Sequence, residues 1–243
     1  RASVAIKFIY AVGRVTGPMQ AAMPSYILEG FQPSGAGLAN STFGAANVPN
    51  ALQLEILMKA RSIREKEEYL IINGDSSSDS TEFDGIVKQQ GTTNQVDLSG
   101  AALTYDDIET AIRYAFDDGG RPNLAVCSSS VLVDIRKILI DTYRYGPADM
   151  ANATGLPFGV PSAIVLQTMV GPVVVIPSMY LSNTSGSKQI YFLDTDFIEM
   201  RVLQDLTYEE LAKTNDSRKF MLKIYECLVM KNPAFNSFID NIG

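Results

Sequence analysis

The sequence predicts an α+β fold built on extended elements. Three features carry that prediction: a helix of about 25 residues at 48–72, an alternating strand of about 13 residues at 218–230, and a helix–strand–helix unit between them. At 1.5 Å per residue the helix would be a rod of roughly 37 Å. At 3.3 Å per residue the strand would reach roughly 43 Å. Both are exceptional lengths, and they match, so the two elements are expected to pack together as an elongated spine. Compact enzymes rarely need one.

The chain opens with Val4, Ile6, Phe8 and Tyr10 at alternate positions, the period-two pattern of a strand. Weaker strand character continues through Val12 and Val15 until Gly17-Pro18 and Pro24 interrupt it. Residues 30–54 carry no charge and are rich in Gly, Ser, Asn and Ala. Such a stretch is either a flexible linker or a surface that packs on a neighbouring subunit. In the long helix that follows, Asn47 can serve as N-cap and Pro49 falls in the first turn, where its missing N–H costs nothing. Asn73-Gly74 supplies the residues that tolerate a left-handed end. Leu52, Ile56, Ala60, Ile63, Leu70 and Ile71 form the apolar stripe, interrupted by Glu67. Arg61/Glu65 and Arg64/Glu68 are four-apart pairs on the outer side, either a solvated face or charges that pair across a subunit seam.

Residues 75–80 read as a polar, exposed loop without the spacing or terminal Glu of a calcium-binding loop. Thr104-Tyr105-Asp106-Asp107 has the form of a capping box, and Ile108, Ala111, Ile112, Ala115 and Phe116 follow at helical spacing up to Gly119-Gly120. Residues 123–127 read as a buried strand, after which Ser128, Ser129 and Ser130 can cap a second helix carrying Val131, Ile135, Ile138 and Leu139. Beyond a link containing Gly155, Pro157, Gly159 and Pro161, strands are expected at 163–168 and 173–176 with Gly171-Pro172 between them. Others follow at 189–193 and 197–203. In the last, Phe220, Leu222, Ile224, Leu228 and Met230 share one face, and Asn232-Pro233 ends it.

The 243 residues allow one or two domains, and 46% apolar with 19% charged residues is ordinary globular composition. No apolar run reaches the roughly 18 residues of a membrane span, and no cationic leader opens the chain. Arg1 rather than Met stands first, so the chain reads as the remainder of a longer product, shortened by processing or by choice of fragment. A net charge of −7 argues against a direct grip on nucleic acid, which needs clustered Lys and Arg. Cys127 and Cys227 have no metal-type spacing and read as buried thiols.

The absence of histidine removes Ser-His-Asp and Cys-His catalysis, His-ligated metals and imidazole bases together. No phosphate cradle stands in their place: 35–40 lacks the third glycine of a dinucleotide loop, and neither a Walker lysine nor Gly-x-Ser-x-Gly occurs. Asp106/Asp107, Asp117/Asp118, Asp194/Asp196 and Glu209/Glu210 are adjacent acids of the kind that cap helices or face solvent. The Asn40, Asn152 and Asn183 triplets match the glycosylation pattern without a secretory signal to give it meaning. No catalytic, cofactor-binding or metal-ligating residue is assigned, and no cofactor is expected.

In order, these elements resemble the major capsid proteins of tailed bacteriophages and prophages, whose fold also occurs in encapsulin shells and herpesvirus capsid floors. Residues 4–10 resemble the returning strand of that family's extended loop. The segment 47–74, leaving through Leu70-Ile71-Ile72-Asn73-Gly74-Asp75, resembles its spine helix. Phe83-Asp84-Gly85-Ile86-Val87 is similar to the short strand entering the axial domain, 103–139 to that domain's helix–strand–helix, 167–175 to its central hairpin, and 222–233 to the closing strand of the peripheral domain. The family's N-terminal arm and outgoing loop strand have no counterpart here. Some members join subunits through a Lys–Asn bond, but nothing assigns Lys7, in the loop-like strand, a partner.

The resemblance implies a partial extended loop and link at 1–46, a peripheral domain with the spine helix at 47–99, an axial domain at 100–187, and a return to the peripheral domain at 188–243. It also implies a structural, non-enzymatic protein of the virion, assembled in the bacterial host cytoplasm through hexamers and pentamers into an icosahedral shell. Its partners would be copies of itself, then portal and scaffold or protease during assembly, with packaged DNA enclosed but not specifically bound and no membrane. The competing readings are an encapsulin-like cage around a cargo enzyme and a carboxylate-dependent hydrolase.

Overall fold

The computed structural model describes residues 4–21, 51–143, 164–213 and 215–243. Its strands are β1 Lys7–Thr16, β2 Gln95–Asp97, β3 Leu124–Ser128, β4 Ile164–Thr168, β5 Gly171–Ser178, β6 Lys188–Leu193, β7 Ile198–Leu211, β8 Ser217–Met230 and β9 Ser237–Ile242. The helices are α1 Gly17–Ala21, α2 Ala51–Asn73, α3 Ile86–Gln90, α4 Tyr105–Asp117 and α5 Ser129–Tyr143. One sheet has the order β1–β8–β7 and is antiparallel throughout. The other has the order β2–β9–β6–β3–β5–β4, with β2–β9 and β3–β5 parallel. The α+β expectation is met.

The six-stranded sheet is apolar on both faces. Ala125, Cys127, Ile190, Phe192 and Ile239 turn to one side and pack with Ile108, Ala111 and Ile112 of α4 and Val131, Ile135 and Leu139 of α5. The residues between them in sequence, Leu124, Val126, Tyr191, Leu193 and Phe238, face the other side, where Tyr191 stacks on Phe238. Burial on both faces is why 190–193 reads Ile-Tyr-Phe-Leu without a polar break. That second face belongs to the core that holds α2, β1 and β8.

In that core Phe220, Leu222, Ile224, Leu228 and Met230 of β8 meet Ile63, Leu70 and Ile72 of α2 and Ile9 of β1. The 23-residue helix is roughly 34 Å long, and the 14-residue strand roughly 46 Å. The long helix and long strand do pack together. Gly13 stands across the strand pair from Phe220. A β-carbon there would lie 2.2 Å from Cζ of that ring, so the ring occupies the space the glycine leaves. At the exit of α2 the Gly74 amide donates to the Leu70 carbonyl at 3.0 Å and the Gly85 amide to the Gly74 carbonyl at 2.8 Å.

After β6 the chain leaves the six-stranded sheet, forms β7 and β8, and returns to it as β9. Polar side chains brace the crossing. Asn236, fully buried, accepts the Asp194 amide on its Oδ1 at 2.8 Å. Gln89 of α3 accepts the Met230 amide and donates to the carbonyls of Leu228 and Asp84, and Gln90 donates to the Asn236 carbonyl. Phe197 and Phe235 meet edge to face at the same point.

Several local expectations need correction. Phe83–Val87 is not a strand. Ile86 begins a helical turn, which aims Gln89 and Gln90 at the chain crossing. Gly171-Pro172 belongs to β5, and the hairpin turns on Met169-Val170. Gly171 takes φ 135, a conformation suited to glycine, and Pro172 falls at the strand's start, where a missing N–H is tolerated. The strand expected at 197–203 continues to Leu211, because its pairing with β8 survives register shifts between Val202 and Gln204 and between Gln204 and Thr207. Those shifts break the alternation that would have marked it. Arg64 pairs with Glu67 at 2.6 Å rather than with Glu68, whereas Arg61–Glu65 forms as expected at 2.9 Å. At the start of α5, Asn183 rather than the serines supplies an acceptor, its Oδ1 taking the amide and hydroxyl of Ser130. The short strands β2 and β9 carried no periodic signal. Asn47, Pro49, the link at 155–161, and the Asn40 and Asn152 triplets lie outside the described residues.

Candidate assembly surface

The three-stranded sheet has two unlike faces. Register places Lys7, Ile9, Ala11 and Gly13 on the α2 side, opposite Glu226, Ile224, Leu222 and Phe220. Phe8, Tyr10 and Val12 turn the other way, with Tyr225, Lys223 and Met221. On that outer face Phe8 stacks on both Tyr10 and Tyr225, at centroid distances of 5.0 and 4.9 Å. Tyr10 is 54% exposed and Val12 45%. A ladder of aromatic rings beside aliphatic side chains, left open to solvent, is the chemistry of a contact surface.

The margins of this sheet are open too. Among the described residues neither β1 nor β7 has a strand partner beyond β8. On β7, Leu203 is 71% exposed at the first register shift. A free strand edge presents unpaired donors and acceptors that a further strand or loop can complete. On α2, Leu57 and Met58 are exposed, while Tyr69 meets Tyr180 edge to face and the Tyr180 hydroxyl donates to the Glu65 carbonyl. Among the described residues this platform offers exposed apolar side chains and strand edges without a further strand partner.

Charge collects in one place on the inner face. Glu226 is fully buried in β8, and among the described residues neither of its carboxyl oxygens has a hydrogen-bond partner. Burial, helped by the nearby Glu67 and Asp205 and opposed by Arg64, raises its pKa to about 7. Arg64 is engaged with Glu67 at 2.6 Å and approaches Asp205 at 3.9 Å. Glu226 was not among the residues expected on the apolar face of β8, although its place between Ile224 and Leu228 marks it in the sequence as an inward-facing acid.

The carboxylate pairs weighed from sequence do separate work. Asp107 closes a capping box with Thr104 at the start of α4, Asp118 accepts from Asn94, and Asp194 is buried and accepts the amides of Arg121 and Asp196. Glu209 pairs with Lys223, and Glu210, Asp106 and Asp117 are exposed. In the 75–80 loop, hydrogen bonds from Ser77 hold the Asp75 carboxyl well below the usual range. Cys127 and Cys227 are free and buried, and burial pushes the Cys127 thiol up to about 12. Among the described residues no group of three or more Cys, Asp or Glu is placed to hold a metal ion. Lys7 Nζ donates to the Ser80 carbonyl at 2.6 Å.

Solved structures share this architecture. The holo-SrpI encapsulin complex from Synechococcus elongatus PCC 7942 aligns with a TM-score of 0.60 at 12% identity, over 98% of this chain and 74% of its own. The capsid of an empty GTA particle gives 0.60 at 14% identity, over 99% and 74%. Mycobacterium phage Bobi gives 0.57 at 11%, over 99% and 73%. At such identities the likeness is one of fold. No curated protein matches the chain. The family model described as SU10 major capsid protein matches residues 14–243. On that match, which leaves out only the first 13 residues, the chain belongs to the SU10 major capsid protein family.

Proposed function

We propose that the chain tiles with copies of itself, through hexamers and pentamers, into an icosahedral shell that encloses phage DNA. The observation that carries this reading is the platform of α2 on β1–β8–β7, which buries one sheet face within the chain, exposes Tyr10 and Val12 on the other, and among the described residues leaves two strand edges without a further partner. Family membership supplies the shell, and the free surfaces supply the means of closing it by repeated contacts. The work is structural, without turnover. Residues 1–46 serve as partial extended loop and link, 47–99 as the peripheral domain, 100–187 as the axial domain and 188–243 as the peripheral return. Portal and scaffold or protease act during assembly in the host cytoplasm, and the acidic chain, with net charge −7, surrounds DNA without gripping it.

Negative-stain microscopy of the expressed full-length product tests this. Uniform icosahedral particles, or rings of five and six, are expected. A dispersed monomer with measurable hydrolytic turnover would overturn the reading. Mass spectrometry of particle contents separates a DNA-filled capsid from a cage holding a protein.

A further inference from the structure

Lys7 stands directly across the β1–β8 pair from Glu226, so both side chains leave the sheet on the α2 face. Their β-carbons are then about 5 Å apart, within easy reach of a lysine. Yet the ammonium is turned away, donating to the Ser80 carbonyl at 2.6 Å. Glu226, fully buried, has no hydrogen-bond partner at either oxygen among the described residues. The charged groups facing it are Arg64 and Glu67 from α2, Asp205 from β7 and Lys7 from β1. Arg64 is already held by Glu67 and Asp205. Lys7 forms no ion pair among the described residues, and its charge lies close enough to Asp79 to help keep that carboxyl ionised.

A neutral carboxyl fits such a seam. An ionised one, with Glu67 and Asp205 adding charge of the same sign, is costly to bury without a cation. We propose that Lys7 and Glu226 form a protonation-controlled latch: Lys7 ties β1 to the 75–82 loop through Ser80 while Glu226 is neutral, and crosses to Glu226 when that carboxyl ionises. Opening the latch releases the loop that follows α2. The device lies within one folded chain and goes beyond shell formation, whose success or failure leaves it untouched.

The sign follows from linkage. The folded chain holds the Glu226 proton more tightly than the unfolded chain, whose carboxyl has its ordinary value of 4.5. The associated stability is fully present below that value and is lost as pH rises toward about 7. Above neutrality the Lys7–Glu226 pair returns part of it.

The test is a double-mutant cycle of Lys7→Met and Glu226→Gln, followed by urea unfolding at pH 5.5 and pH 8.5. The coupling between the two positions should be near zero at the lower pH and about tenfold in the unfolding equilibrium at the higher, the size of a hydrogen-bonded charge pair. Hydrogen exchange of the 75–82 amides, corrected for intrinsic rates, should speed up at pH 8.5 in the native chain and not in Glu226→Gln. Equal coupling at both pH values, or loop exchange that ignores Glu226→Gln, overturns the latch. Lys7→Gln also removes the charge but keeps a polar side chain, and its cycle with Glu226→Gln should show the same pH-dependent coupling, which holds the test open if Lys7→Met folds poorly.

Discussion

At the scale of single residues, the exit of α2 depends on two glycines for room rather than for unusual backbone angles. Gly85 has an ordinary φ of −82. A β-carbon there would nevertheless lie 2.5 Å from the Leu70 carbonyl oxygen, 2.7 Å from that of Ile72 and 2.8 Å from the Gly74 amide nitrogen. Backbone cannot step aside as a flexible side chain can, so Gly85→Ala should cost about 1–3 kcal/mol, read as a lower urea midpoint with an unchanged slope. Glu226 teaches something different at the same scale. Its inward position followed from the alternation of β8, but its lack of a hydrogen-bond partner among the described residues did not, because the charged groups around it come from α2, β1 and β7.

Among the elements, those with a strong period were legible: α2, α4, β1 and β8 lie close to where alternation or helical spacing put them. Elements that depend on partners were not. β9 enters the sheet between β2 and β6, and its six residues carry no alternation of their own. The second half of β7 was hidden by its register shifts. The polar bracing of the crossing was equally out of reach, since Asn236 meets Asp194 42 positions away and Gln90 meets Asn236 146 positions away. Asn236→Ala should therefore cost about 1–3 kcal/mol by leaving the buried Asp194 amide without its acceptor. Thermal unfolding measures the loss, and Asn236→Asp, which keeps an acceptor oxygen there, should recover part of it.

For the whole molecule, the long spine was readable from element lengths alone, and shell formation only from the resemblance those elements carry when taken in order. The contact surface was half legible. Alternation puts Tyr10 on one strand face with Val4, Ile6 and Phe8, but which face would be left open depended on where α2 came to lie. Tyr10→Asp places a charge on the outer face without touching the core, so monomer stability should fall only by the lost stack on Phe8 and the poorer strand residue, about 1–2 kcal/mol. Particle yield, followed by sedimentation and microscopy, should fall at least tenfold. Unchanged yield would remove this face from the assembly contacts.

The six-stranded sheet serves as a party wall. Leu124 and Val126 look into one room, Ala125 and Cys127 into the other, and both rooms lose a side when that strand departs. Heat or denaturant should therefore find no half of the described chain to take first: melting is expected as a joint event, with fluorescence and circular dichroism falling together.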